Sequence, residues 1–199
     1  MLRKMIAGVQ VSLDGYTQGA EGEKDWADSW ASSLALVGEV DTFIVGGGMY
    51  PGYGVYWEGI AANPEAPAPF SEARPTPAEV AYAKLAEKTP HVIFSRSLAN
   101  VSWPPHAKVV GDVEALRALK REVGRNIYVV GGATTVGLLM NAGLVDELHL
   151  IVHPVALGSG QALFGALRER CAFELASAKA LPNGRVHLAY LVATRSTKY

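Results

Sequence analysis

Ile127-Tyr128-Val129-Val130-Gly131-Gly132-Ala133-Thr134-Thr135 is the stretch on which the fold turns. Four apolar residues in a row, three of them β-branched, read as a buried strand. The glycine pair then turns the chain, and Thr134 to Asn141 continues as a helix stopped by Gly143. A fully apolar strand passing straight into a helix is the unit of a parallel sheet covered on both faces.

Reading outward, the same alternation recurs. Upstream, Asp112 is placed to cap a helix with apolar positions Val113, Leu116, Leu119 and Val123, ended by Gly124. Before it stand short strands at Lys108–Val110 and His91–Ser95, and a helix from Pro77 to about Lys88. Gly59 to Pro77 holds Pro64, Pro67, Pro69, Pro75 and Pro77 and reads as a long surface loop. Composition does not change across it, so residues 1–199 are expected to form one domain. Thr42 to Val45 is a short strand stopped by Gly46-Gly47-Gly48, and Asp28 to Glu39 is predicted helical. Met5, Ala7, Val9, Val11 and Leu13 alternate at strand period. Downstream, Glu147–Val155 is another strand. Phe173–Leu181 and Arg185–Ala193 flank Pro182-Asn183-Gly184 as an antiparallel hairpin.

Composition limits the function classes. The 199 residues are 49% hydrophobic, enough for a sizeable core. Eighteen basic against nineteen acidic residues give a formal charge of -1, which offers no electrostatic basis for nucleic-acid binding. No basic amphipathic segment suggests a membrane surface, and the start of the chain is too short and too alternating for a signal peptide or span. Cys171 is the single cysteine, so no intrachain disulfide forms. The chain reads as cytoplasmic.

Several side chains are candidates for chemistry. Gly131, Gly132, Ala133 and Thr134 stand at a helix N-terminus, where free amides and the helix dipole attract phosphate. The same glycines also suit a tight, well-packed turn. Ser95 and Arg96 follow a parallel strand at the end where α/β proteins bind ligands, and a guanidinium fork suits a phosphate; a solvated surface arginine is the other reading. Gly46 and Gly47 could serve a phosphate or simply form a flexible turn. Asp14 could hold a substrate or relay a proton, or merely shape an Asp-Gly turn. His149 and His153 share a strand face but lack a third zinc ligand, so no metal is expected. Cys171 has no catalytic partner at a telling spacing and is expected to be buried.

Four segments in order carry a resemblance: SLDGYT (Ser12–Thr17), DTFIVGGGMYPGY (Asp41–Tyr53), VIFSRSL (Val92–Leu98) and IYVVGGATTVGLLMNAGLVDELHLIVHPVALGSGQALF (Ile127–Phe164). Together they resemble the dihydrofolate-reductase-like superfamily, in particular the reductase domain of bifunctional riboflavin-biosynthesis deaminase-reductases. The resemblance implies an α/β fold with a mixed, mostly parallel sheet flanked by helices on both faces and a C-terminal antiparallel hairpin. It implies a homodimer and NADPH as cofactor, with hydride delivered to a small pyrimidine- or pterin-like substrate. Gly131, Gly132, Ala133 and Thr134 would then embrace the pyrophosphate, and Ser95 with Arg96 the 2′-phosphate. The Asp14 loop would border the nicotinamide and the substrate. The chain departs from the family at Gly47 and Gly48, where many relatives carry a basic residue in a GR.MY or GR.TY pattern. A non-catalytic nucleotide-binding or scaffold protein is the alternative that this departure raises.

Overall fold

Strand β1 (Met5–Val11) has every residue buried, because it lies in the middle of an eight-stranded sheet with parallel neighbours on both sides. The computed structural model describes residues 3–29, 34 and 39–193. The other strands are β2 (Val40–Gly46), β3 (His91–Phe94), β4 (Ala107–Val110), β5 (Asn126–Val130), β6 (Glu147–Val152), β7 (Phe173–Ala180) and β8 (Val186–Val192). The order is β4-β3-β2-β5-β1-β6-β8-β7. Strands β1 to β6 run parallel, and β8 pairs antiparallel with both β6 and β7. The mixed sheet and C-terminal hairpin are those expected from the sequence.

Alternation along the central strands sends side chains to two different cores. Met5, Ala7, Val9 and Val11 enter an aliphatic cluster with Leu116 and Leu119 of helix α3 (Val113–Arg121) and Val136, Leu139 and Met140 of α4 (Ala133–Asn141). Ile6, Phe43, Val45, Ile93 and Tyr128 enter an aromatic cluster on the other face. There α1 (Tyr50–Ala62) supplies Tyr53 and Trp57, and α2 (Pro77–Lys88) supplies Tyr82. Leu139 is fully buried, and cutting such a side chain back to alanine costs about 2–5 kcal/mol.

The boundaries are chemically legible. Helix α2 starts at a capping box: the Glu79 amide donates to Thr76 Oγ1, and the Thr76 amide donates to Glu79 Oε2. Asp112 caps α3 by accepting from the Glu114 amide at 3.0 Å. Three expectations need correction. Helix α3 ends at Arg121, so Val123 lies beyond it and is fully exposed. Leu13 follows the end of β1 and is exposed, not a core position. The surface loop does not begin at Gly59, because Gly59 to Ala62 form the last turn of α1. Pro51 and three glycines hide that helix, yet Tyr50, Tyr53, Trp57 and Ile60 recur at helical spacing and are buried. Tertiary burial outweighs weak local propensity here. The helix expected over Asp28–Glu39 lies largely outside the described residues.

Candidate functional site

Strands β2 and β5 are neighbours, but the chain leaves them in opposite directions. After β2, α1 packs on the aromatic face and leads to β3; after β5, α4 packs on the aliphatic face and leads to β6. A crevice opens between two such departures, at the carboxyl ends of the strands. Both glycine turns lie there, since Val45 pairs with Val130. They approach so closely that a Cβ on Gly46 would stand 2.2 Å from Thr135 Oγ1. A Cβ on Gly47 would stand 2.6 Å from both Cβ and Oγ of Ser95.

The crevice is a cleft of about 790 Å³. Gly46, Gly47, Ser95, Arg96, Gly132 and Thr134 all line it, so six of the residues named from sequence meet in one place. Gly131 and Ala133 do not face it. Both are buried, and Ala133 belongs to the aliphatic core. Gly132 is the N-cap of α4 and no side chain caps that helix, which leaves its first amides available to an anion. Ser95 is engaged locally, its Oγ accepting from the amides of Ser97 (3.2 Å) and Leu98 (3.1 Å). That turn presents Arg96, whose Cγ would lie 3.4 Å from a Cβ on Gly111.

One wall was not foreseen. Residues 12–18 and 155–163 are zipped into a two-armed strap by Leu13 N to Val155 O (2.7 Å), Thr17 N to Gln161 O (2.9 Å), Gln161 N to Gln18 O (3.0 Å) and Leu163 N to Gly15 O (3.0 Å). Gln18 and Gln161 line the cleft, and Gln161 Nε2 donates to Thr134 Oγ1 at 3.2 Å. Just beyond the arms, Lys24 and Arg168 line it too. Surrounding protein desolvates Lys24 and lowers its pKa from the ordinary lysine value. These four residues sit in loops without periodicity, so no local signal marks them.

Asp14 does not line this cleft. Its carboxylate accepts from Ser12 Oγ (2.6 Å), the Gly158 amide (2.7 Å) and the Leu157 amide (3.1 Å to each oxygen). These donors, the Ser12 hydroxyl first and then the Gly158 amide, hold its pKa down at about 2. Such a carboxylate is ionised at neutral pH. The geometry gives Asp14 the work of tying the two arms of the strap together.

A second, smaller cleft of about 200 Å³ lies at the ends of β6 and β8, lined by Trp26, Asp28, His153 and Arg185 among others. There His153 Nε2 meets Gln10 Oε1 at 2.6 Å, Trp26 stacks edge-on against His153, and Arg185 pairs with Asp28. His149 instead faces His187 across the β6–β8 ladder at 3.1 Å and Glu147 at 3.2 Å. Among the described residues no three His, Cys, Asp or Glu side chains converge as a metal would need. Cys171 is half-buried against the aliphatic core rather than buried within it.

A parallel-rich sheet with helices on both faces, a β6–β8–β7 antiparallel end and a cleft at the β2–β5 switch point define a dihydrofolate-reductase-like α/β protein. Residues 3–187 match the RibD C-terminal domain family, and the chain belongs to it. The uncharacterized protein YyaP of Bacillus subtilis (strain 168) is 29% identical over 192 residues, 94% of each chain. Acinetobacter baumannii RibD superposes with a TM-score of 0.62 at 17% identity, over 97% of this chain and 59% of that one. Enterococcus faecalis dihydrofolate reductase, solved as a complex with NADP(H), superposes with a TM-score of 0.61 at 13% identity, over 96% and 97% of the two chains. At these identities the structural likenesses speak for the fold. No helix among the described residues is long and apolar enough to cross a membrane.

Proposed function

We propose that this protein is an NADPH-dependent reductase that delivers hydride to a small pyrimidine- or pterin-like ring. The observation that carries the reading is the cleft at the switch point. Its floor is glycine where a Cβ would collide, its far wall is an uncapped helix N-terminus, and Arg96 stands on its rim. A dinucleotide needs those features: close backbone approach, amides for the diphosphate and a fork for the 2′-phosphate. Gly132 and Thr134 would flank the diphosphate, while Gly131 and Ala133 would contribute through the backbone alone. Arg96 would take the 2′-phosphate. The nicotinamide, once bound, supplies the hydride.

Asp14 serves this chemistry by position rather than by proton transfer. Already ionised, it has no proton to give at neutral pH, so the proton that completes reduction comes from water. Holding Leu157 and Gly158, Asp14 keeps Gln18 and Gln161 against the cleft, where the substrate ring would sit. We also take the protein to work as a cytoplasmic homodimer. Among the described residues the outer strand β7 leaves one backbone edge unpaired, with its Leu175 exposed, and a second copy would cover it.

Calorimetry with NADPH and NADH, followed by NADPH absorbance loss over a panel of pyrimidine, pterin and flavin-precursor compounds, tests the reading. Tight NADPH binding with turnover of one compound supports it. Failure to bind either dinucleotide overturns it, and binding without oxidation across the panel favours a nucleotide-binding scaffold. Sedimentation as a monomer at micromolar concentration would remove the dimer.

A further inference from the structure

The glycine floor of the cleft brings no charge, and Gly47 has no room to bring one, since its Cβ would overlap Ser95. Among the described residues, the cations that line the cleft are Arg96, Lys24 and Arg168. The one lining carboxylate among the described residues, Asp112, is occupied in capping α3. If Arg96 takes a 2′-phosphate, the doubly negative diphosphate still needs partners beyond the α4 amides. Two cations remain, and they come from the strap side, opposite Arg96.

We propose that Lys24 and Arg168, each following one arm of the strap, hold the diphosphate of the bound dinucleotide against the N-terminus of α4, in place of the base that Gly47 lacks. The inference rests on the reading of the cleft as a dinucleotide site. Each residue is carried by a braced loop. Asn141, at the last turn of α4, accepts from the Arg168 amide at 3.1 Å and donates to Ala166 O at 2.9 Å. The loop therefore runs along α4 from Thr134, where Gln161 holds it, to Asn141. Lys24 follows a tight turn closed by Gly19 N to Glu23 O (3.0 Å), and the Ala27 amide donates to its carbonyl at 3.0 Å. Neither side chain forms a salt bridge among the described residues. An ammonium and a guanidinium facing a cleft without a counterion are complementary to a phosphate ligand that spans between them.

The experiment is calorimetry of the full chain with NADPH, NADH and inorganic pyrophosphate, for the wild type, Lys24→Met, Arg168→Met and the double variant. Thermal melts check that each is folded, and Lys24→Gln with Arg168→Gln stand by as a second pair. Each single substitution is expected to weaken both dinucleotides and pyrophosphate about five- to thirtyfold. The double variant should also bind with a flatter salt dependence. Arg96→Ala, by contrast, should weaken NADPH alone. If the wild type binds NADPH and the strap variants match it within twofold, the proposal falls while the dinucleotide reading stands. If the wild type binds neither dinucleotide, both fall.

Discussion

After β2 the chain turns at Gly46-Gly47-Gly48; after β5 it turns at Gly131-Gly132. In sequence the two look alike, an apolar strand running into glycines. In the structure their glycines divide by duty. Gly46, Gly47 and Gly131 are packed against neighbours: Thr135 Oγ1 lies 2.2 Å from a Cβ on Gly46, Ser95 Cβ 2.6 Å from one on Gly47, and Thr135 Cβ 3.2 Å from one on Gly131. Gly48 and Gly132 have nothing within 4 Å and face open space. Gly132 is the N-cap of an uncapped helix and so offers amides, whereas the turn after β2 leads to an N-cap at Met49 with Pro51 in the first turn. A glycine run thus does two things at once, close packing at its inner members and open backbone at its outer ones. Only the neighbours distinguish them.

The sharpest way to break that division is Gly47→Ala. Ser95 Cβ is fixed to its backbone and cannot swing aside, so the variant should lose about 1–3 kcal/mol of stability by overpacking. Chemical denaturation would show it, and adding Ser95→Gly should recover part of the loss as a non-additive coupling. A fully stable Gly47→Ala would mean that the close approach does not exist. Next in size is Arg96→Ala, which should weaken NADPH by about 1–3 kcal/mol and leave NADH nearly unchanged, measured by calorimetry. Equal losses for both would move the 2′-phosphate elsewhere.

Asp14→Asn probes the strap that faces both turns. It should lower turnover up to about tenfold, far short of the 10²–10⁴-fold expected for a lost general acid. The folded pKa of about 2 lies below the ordinary carboxylate value of 3.8. Stability from the Asp14 contacts is therefore present above about pH 4 and lost as pH falls through about 2. Denaturation midpoints of the wild type and Asp14→Asn should converge over that window, and a constant gap would assign the difference to another group. The smallest effects belong to the open glycines. Gly132→Ala should change stability by under about 0.5 kcal/mol. Gly48→Arg, which has the room that Gly47 lacks, should tighten NADPH up to about tenfold.

Histidines extend the pH argument to the core. His91 Nδ1 donates to Thr89 O at 2.7 Å, so in the neutral ring Nε2 accepts from the Tyr53 hydroxyl at 2.8 Å, and burial pulls its pKa down from 6.5 to about 4. A buried base held neutral stabilises the fold fully above its unfolded pKa, and that contribution erodes as pH drops from about 6.5 toward 4, by about 3 kcal/mol. His153 and His187 are lowered in the same direction by burial, so they too weaken the fold as pH falls below the ordinary histidine value.

What the chain determines by itself is local. Ile127 to Val130 is apolar throughout and must be a strand buried on both faces; Thr76 with Glu79 and Asp112 with Glu114 announce their helix starts through side chains that bond their own backbone. Arg96 and Gly132 were legible as candidates, and they line the cleft, because each stands two positions beyond the end of a recognisable strand, Phe94 and Val130. Tertiary structure alone decided the rest. Helix α1 forms against Pro51, Gly52, Gly54 and Gly59 because Tyr50, Tyr53, Trp57 and Ile60 are buried under the aromatic face. Gly47 differs from Gly48 through Ser95 and the Phe94 carbonyl, nearly fifty positions away. Lys24 and Arg168 face the cleft because backbone hydrogen bonds between residues 12–18 and 155–163 bring two distant loops together. Non-local pairing of that kind has no period and no spacing to read; it exists only once the sheet has set the loops side by side.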